Sequence, residues 1–257
     1  MKILTYNIWN TDRDFQARLE LLAAALRAAG ADIVALQEVR DEAVVDYLQK
    51  RCGFRHSLWK QFHDYQEGLA LLSEHPITAA RANWEEVAQV SNSYVLRTLV
   101  DCDGREIGVT NLHLDYKSAL NRETAIVSAV KMVEEYPHSH YEFMAGDFNS
   151  YPTSSVHRYL TGQQSLANHA THWLDLAESY AVQSGGSAPA TLDFFNNPRW
   201  DNEENHLWAP ARFDWVMLQY PYPEDSLRLN SVDIVGTKRE GNITPSDHYG
   251  VLCNLDL

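Results

Sequence analysis

The chain has 257 residues, 45% of them hydrophobic, with 21 Lys and Arg against 35 Asp and Glu and a formal net charge of −14. This composition supports a buried core and excludes an intrinsically disordered chain, and the acidic balance disfavours a polyanion gripped through many phosphates. Cys52, Cys102 and Cys253 are scattered and form neither a disulfide framework nor the paired spacing of structural zinc, and no stretch has signal-peptide or membrane-spanning character, so a cytoplasmic location is expected.

Residues 3–8 and 32–36 are β-rich apolar runs suited to buried strands. Between them Phe15, Leu19, Leu22, Leu26 and Ala29 recur at helical spacing, with Asp12 or Asp14 as candidate cap and Gly30 as terminator. A second helix is expected over 41–51 and a strand over 68–73. Residues 93–100 and 105–112 predict a hairpin turned by Asp101-Cys102-Asp103-Gly104. A helix over 118–135, a strand over 141–145 and a short helix after Pro152 follow. Residues 183–212 are the least regular, and strands resume at 213–219, 230–236 and 250–256. With no repeat or linker, residues 1–257 read as a single domain of mixed α/β class.

The residue types that carry chemistry fall where these strands end. Asn7 closes the first strand, where a buried amide needs partners and a structural role is the competing reading. Glu38 follows Ile33-Val34-Ala35-Leu36-Gln37 and offers a hard oxygen donor suited to Mg²⁺ or Mn²⁺, or else a surface or helix-capping carboxylate. Asn111-Leu112-His113 ends the hairpin. Gly146-Asp147-Phe148-Asn149 places two short polar side chains on a tight loop, which an Asx-capped turn would also do. Asp214 sits in Arg212-Phe213-Asp214-Trp215, and Ser246-Asp247-His248 precedes the last strand. His169 and His172, with Asp175, have only loosely ligand-like spacing, and an ordinary surface is the stronger reading for them.

In this order the motifs resemble the endonuclease/exonuclease/phosphatase superfamily of DNase I-like metal-dependent phosphohydrolases, over nearly the whole chain. The resemblance implies a DNase I-like four-layer sandwich, two packed mixed β-sheets flanked by helices. It implies that Glu38, Asn7 and Asp247 gather around Mg²⁺ or Mn²⁺, that Asp147 orients and deprotonates the attacking water, and that Asn149 contacts the phosphate. His248 would be paired with Asp214, and His113 would be a further acid or phosphate ligand, with Glu67 as its supporting carboxylate. His113 points away from a dedicated abasic-site enzyme, which uses another residue type there.

Arg97 is expected to support substrate binding unless it snorkels from its strand. Trp200 and Trp208, flanking the acidic run Asp201-Asn202-Glu203-Glu204, are expected to shape a ligand wall or to cap the core. The resulting expectation is a metal-dependent phosphoester hydrolase, a phosphodiesterase or phosphatase, acting on a small soluble substrate. A DNase I-like nuclease acting on nucleic acid is the alternative, and a catalytically inactive phosphate-binding module is a reading of another class. No protein partner is evident.

Overall fold

The computed structural model describes residues 1–63, 65–85, 92–135, 139–200 and 208–257. The chain opens as strand β1 (Lys2–Asn7), helix α1 (Phe15–Ala29), β2 (Ile33–Val39) and α2 (Glu42–Cys52). Three strands follow, β3 (His56–Gln61), β4 (Gly68–Ser73) and β5 (Ile77–Ala82). The hairpin β6 (Tyr94–Cys102) and β7 (Arg105–His113) leads into α3 (Ala119–Glu135) and β8 (Tyr141–Asp147). The chain ends with α4 (Ser155–Leu160), β9 (Trp173–Asp175), α5 (Leu176–Ser184), β10 (Asp214–Gln219), β11 (Arg228–Val235) and β12 (Gly250–Asp256).

These strands make two six-stranded mixed sheets, ordered β11-β12-β1-β2-β4-β3 and β5-β6-β7-β8-β10-β9. Helices cover the outer faces, as the DNase I-like sandwich requires. Period-2 alternation assigns each strand's side chains to two cores. Ile3, Ile33, Ala35, Leu71, Val109, Phe143, Ala145, Val216 and Val251 meet between the sheets. Leu4, Val34, Leu36 and Leu72 point the other way and pack under Leu19, Leu22, Ala23 and Leu26 of α1, whose i, i+3, i+4, i+7 spacing makes one apolar stripe. Val95, Leu112, Met144, Trp215 and Met217 bury against α3 and α4 on the far side.

Several elements depart from expectation. The edge strand β3 and the β5 strand are absent from the sequence reading because their residues are only partly buried and show no clean apolar run. Residues 176–184, expected at their C-terminal end to open an irregular stretch, form α5, whose first turn is capped by Asp175 accepting from the amides of Ala177 and Glu178. Asp14 occupies the N-cap position of α1 in a left-handed conformation and makes no side-chain cap bond. The short helix after Pro152 begins later, at Ser155, behind the Ser154 cap.

A polar tie crosses the inter-sheet core. Gln37 Nε2 donates to Asn111 Oδ1 at 2.7 Å, and Asn111 Nδ2 donates to the carbonyls of Leu36 and Ala70. Both residues are fully buried, so leaving either amide unpartnered would carry a desolvation cost of about 1–3 kcal/mol. The tie sets the sheets in register at the end where the polar motifs emerge.

Candidate active site

That end is where β1, β2, β7 and β8 finish and where β4, β10 and β12 begin. Antiparallel pairing of β12 with β1, and of β10 with β8, therefore brings Asp247-His248 and Asp214 beside Asn7 and Asp147. Three of the eight non-glycine residues with positive φ among the described residues lie there. Trp9, Glu38 and Asn149 adopt positive φ values of 58°, 57° and 46°, conformations that non-glycine residues hold only when their surroundings impose them. At Glu38 the β2–β4 register breaks between Leu36 and Val39, turning the carboxylate out of the pleat. Gly146 has no substitute, because a Cβ there would lie 2.0 Å from the Leu112 carbonyl oxygen.

Asn7 is the hub. Its Nδ2 donates to Glu38 Oε1 at 2.9 Å and to Asp147 Oδ2 at 3.0 Å, while its Oδ1 accepts the Trp9 amide. Glu38 Oε2 accepts the backbone amide of Asn10 at 2.9 Å. Asp147 Oδ2 lies 3.8 Å from His113 Nε2 and 3.9 Å from His248 Nε2, and Asp147 Oδ1 accepts the Asn149 amide at 2.8 Å. His248 Nδ1 meets Asp214 Oδ2 at 2.9 Å. The carboxylate only accepts, so Nδ1 carries the proton.

The electrostatics are those of excess buried negative charge. Burial first, then Asp214, push the Asp147 carboxyl above its ordinary range. Burial and the neighbouring Glu38 push Asp247 up to about 6, against the pull of His248. Burial and Glu38 likewise raise Glu67. Burial would lower His248, but Asp214 and Asp147 outweigh it and hold the imidazole well above its ordinary value. For Glu38 burial is outweighed by His113, the Asn7 amide and the Asn10 amide, and its pKa falls. Asp214 Oδ1 is buried with no hydrogen-bond partner.

A divalent cation fits this donor set. The oxygens are hard, they are preorganised by Asn7 and Asn10, and a cation would offset the charge that raises Asp147 and Asp247. Glu38 and Asp247, with the second lone pair of Asn7 Oδ1, are the groups that would hold it. Among the described residues, Asp147, Asp214 and His248 also bring potential ligand atoms within 4.8 Å of one another, as do His157, Asp175 and Glu178 away from this end. In the first of these groups the His248–Asp214 hydrogen bond already engages Nδ1.

Seven of the expected residues thus converge: Asn7, Glu38, His113, Asp147, Asp214, Asp247 and His248. Asn149 joins them through its backbone, but its side-chain Nδ2 donates to the Leu114 carbonyl at 2.9 Å, so here it positions Asp147. Glu67 accepts from Asn10 Nδ2 at 3.0 Å, and the buried His113 Nδ1 has no hydrogen-bond partner; no hydrogen bond makes Glu67 the orienting carboxylate for His113. Arg97 pairs with Glu142 on the strand face shared with Val95 and Met144, away from the cluster. Trp200 donates its indole N–H to the Asp247 carbonyl at 2.8 Å. Trp208 is 55% exposed and packs edge-on against Phe194; the acidic run 201–204 lies outside the described residues. His169, His172 and Asp175 go to separate partners: Tyr159 and Glu134, the ring of Tyr220, and His157 with Arg212.

Three supporting residues escaped the sequence reading. Asn10 orders Glu38, Glu67 and, through Oδ1, Arg40. Ser246 Oγ donates to the Asn7 carbonyl at 2.7 Å and accepts the His248 amide, and Thr191 Oγ1 accepts the amides of Phe213 and Asp214. The serine of Ser246-Asp247-His248 was a legible signal; the other two act through contacts no local pattern encodes.

Residues 4–248 match the Endonuclease/Exonuclease/phosphatase family. The chain belongs to that family. Among its relatives, human tyrosyl-DNA phosphodiesterase 2 is 23% identical over 99% of this chain and 68% of its own length. The crystal structure of D. rerio TDP2 complexed with single strand DNA product superposes with a TM-score of 0.80 at 18% identity, covering 100% of this chain and 99% of that one. The endonuclease/exonuclease/phosphatase from Bacteroides vulgatus gives 0.75 at 14% identity, covering 100% and 98%. This likeness shows the DNase I-like sandwich. Among the described residues no helix is long and apolar enough to cross a membrane.

Proposed function

We propose that the chain is a single-domain, Mg²⁺- or Mn²⁺-dependent phosphodiesterase that attacks phosphorus with an activated water. The observation that carries this reading is Asp147 Oδ2, held at 3.0 Å by Asn7 and flanked at 3.8 and 3.9 Å by the two imidazoles. Its raised pKa brings the carboxylate closer to the range in which it can accept a proton from water. His248, kept cationic by Asp214, binds the non-bridging oxygens and stabilises charge developing on them. His113 lies on the other flank, where its Nε2 serves as a second phosphate donor or protonates the leaving oxygen. Glu38, Asn7 and Asp247 would hold a divalent ion, which when bound would supply charge neutralisation at phosphorus and the leaving group. Water oxygen bonds to phosphorus as the ester bond breaks, and its proton goes to Asp147.

The net charge of −14 supports a substrate that presents few phosphates, a small soluble phosphodiester. The likeness to tyrosyl-DNA phosphodiesterase 2 supports a second reading, one phosphodiester at the end of a DNA strand. Trp208 and the Phe194–Trp200 pair would form part of the substrate wall in either case. Turnover of bis(p-nitrophenyl) phosphate, thymidine 5′-p-nitrophenyl phosphate, a 5′-tyrosyl oligonucleotide and plasmid DNA, each with Mg²⁺ or Mn²⁺, tests the reading. No turnover of any of them by folded protein would return the chain to the class of inactive phosphate-binding modules.

A further inference from the structure

Arg18, in the first turn of α1, is 2% exposed. Its guanidinium is directed at main-chain carbonyls. Nε donates to Arg13 at 3.0 Å, Nη1 to Ile8 at 3.2 Å, to Trp9 at 3.1 Å and to Pro245 at 3.4 Å, and Nη2 to Trp9 at 2.9 Å and to Thr11 at 3.1 Å. An arginine that only packed a helix on a sheet would bury its stem and keep its head in water, because an enclosed charge is costly unless it is hydrogen-bonded. Burial, then repulsion from Arg199, push the Arg18 pKa down to about 10, against the pull of Asp247, so the group is a cation at neutral pH. It lies at the end of the sandwich that holds the excess of buried carboxylates.

The carbonyls that Arg18 collects belong to the loop that carries the donors of the site. In a planar trans peptide the C=O and the N–H point opposite ways. The peptide joining Trp9 to Asn10 gives its carbonyl to both Arg18 Nη atoms and, at its other end, the Asn10 amide to Glu38 Oε2 at 2.9 Å. The peptide joining Ile8 to Trp9 repeats the arrangement, its carbonyl on Arg18 Nη1 and the Trp9 amide on Asn7 Oδ1 at 3.0 Å. Trp9, at φ 58°, sits between these two planes, and the Arg18 Cζ stands 4.9 Å from its ring centroid. We propose that Arg18 is a positioning residue: through these two peptides it aims one backbone amide at Glu38 and one at Asn7, and so sets the geometry in which they hold a divalent ion. This rests on the reading of Glu38 and Asn7 as metal-holding residues and deepens it. A cation at the carbonyl end polarises each peptide and strengthens the bond its N–H makes at the other end. The planar fork is essential, since a lysine ammonium cannot span the same carbonyls.

Arg18→Lys in the full chain tests this, since it keeps the charge and loses the fork. Hydrogen exchange followed by NMR in the metal-free protein should show the Trp9 and Asn10 amides about tenfold less protected, beyond any change at Leu4 and Val34 in the middle of β1 and β2. Mg²⁺ affinity, read by calorimetric titration, should fall about 10- to 100-fold, as it does when an outer-shell partner is lost. Protection that is unchanged, or that falls equally at Leu4 and Val34, would overturn the positioning role, and so would loosened amides with wild-type Mg²⁺ affinity. A wild-type protein that binds no Mg²⁺, while Arg18→Lys still loosens the two amides selectively, would uphold Arg18 as the group that aims them and sink the metal reading instead. Should Arg18→Lys fail to fold, a backbone ester at Asn10 decides the matter, because it deletes the N–H at the Glu38 end and leaves Arg18 in place. A comparable loss of Mg²⁺ affinity would uphold the relay, and unchanged affinity would overturn it.

Discussion

His248 and Asp214 form a buried pair, Nδ1 to Oδ2 at 2.9 Å, in which the carboxylate keeps the imidazole protonated despite its burial. The pair resembles a histidine–aspartate orienting couple, but Asp147 on the far side of the ring adds a second negative charge, and the imidazole here serves as a cation. Asp214→Asn should therefore lower the His248 pKa in the metal-free protein, visible as a lower titration midpoint of its ring resonances by NMR. Because the folded pKa is raised, the stability the pair contributes is fully present below the unfolded value of about 6.5 and is lost as pH rises through the folded value. Turnover should drop about 10²-fold or more. An unshifted titration would remove Asp214 as the cause.

Replacing Glu38 by Gln keeps the shape and the Asn7 and Asn10 contacts partly intact while removing the charge. Mg²⁺ or Mn²⁺ affinity should fall by at least about tenfold, read by calorimetric titration, with circular dichroism unchanged. Wild-type affinity in the variant would take Glu38 out of the metal site.

Asp147→Asn should lose about 10²- to 10⁴-fold in kcat, the range for a positioned general base, while still binding metal and substrate. Its isosteric amide also meets Asn7 Nδ2 with a donor on one of its two rotamers, so the variant should favour the flip that keeps its oxygen on Asn7. A kcat within a few-fold of wild type would give the proton to another group.

Arg212 holds the strand before Asp214 from behind. It donates to Asp175 Oδ2 at 2.8 Å and to Glu178 at 2.9 Å, and His157 Nε2 meets the same Asp175 oxygen at 2.8 Å. Arg212→Met should destabilise by about 1.5–3 kcal/mol, because it removes a charge-assisted hydrogen bond from a buried carboxylate that keeps His157 and two α5 amides, as chemical denaturation would show. Burial would raise the Asp175 pKa, but His157 and then Arg212 outweigh it and hold it below its ordinary range. With a depressed folded pKa, the contribution is fully present above the unfolded value of about 3.9 and disappears as pH falls through the folded value. Wild-type stability should accordingly decline in that acid window, and less steeply in Arg212→Met.

The two tryptophans should separate. Trp208→Ala, losing an exposed ring, should raise KM and leave kcat near wild type, whereas Trp200→Ala also removes the hydrogen bond to the Asp247 carbonyl and should lower kcat. For the best substrate the salt slope of log kcat/KM should be shallow, since few phosphates are engaged. Efficient plasmid cleavage with a steep slope would promote a duplex nuclease.

What local sequence determined is what local physics encodes. The helical stripe of Leu19, Leu22 and Leu26, the buried runs ending at Asn7, Gln37 and Asp147, and the Asp103-Gly104 turn with φ of 56° and 87° each need only neighbours a few residues away, so strands, helices and the polar tips of the strands were legible. The family motifs extended this to the candidate site residues, because each motif sits at a strand end that the fold must bring to one edge. Contacts between distant segments were decided in three dimensions. Asn7 reaches Asp147 across 140 residues, a separation no periodicity reports. Arg97 looked like a cation facing the site, yet strand parity turned it to the outer face, where Glu142 neutralises it. Glu67 was near His113 in the motif order, and the Asn10 side chain claimed it first. Trp200 read as a ligand wall or a cap on the core, and only the tertiary structure showed its indole N–H donating to the Asp247 carbonyl, because a part-buried donor must find a partner.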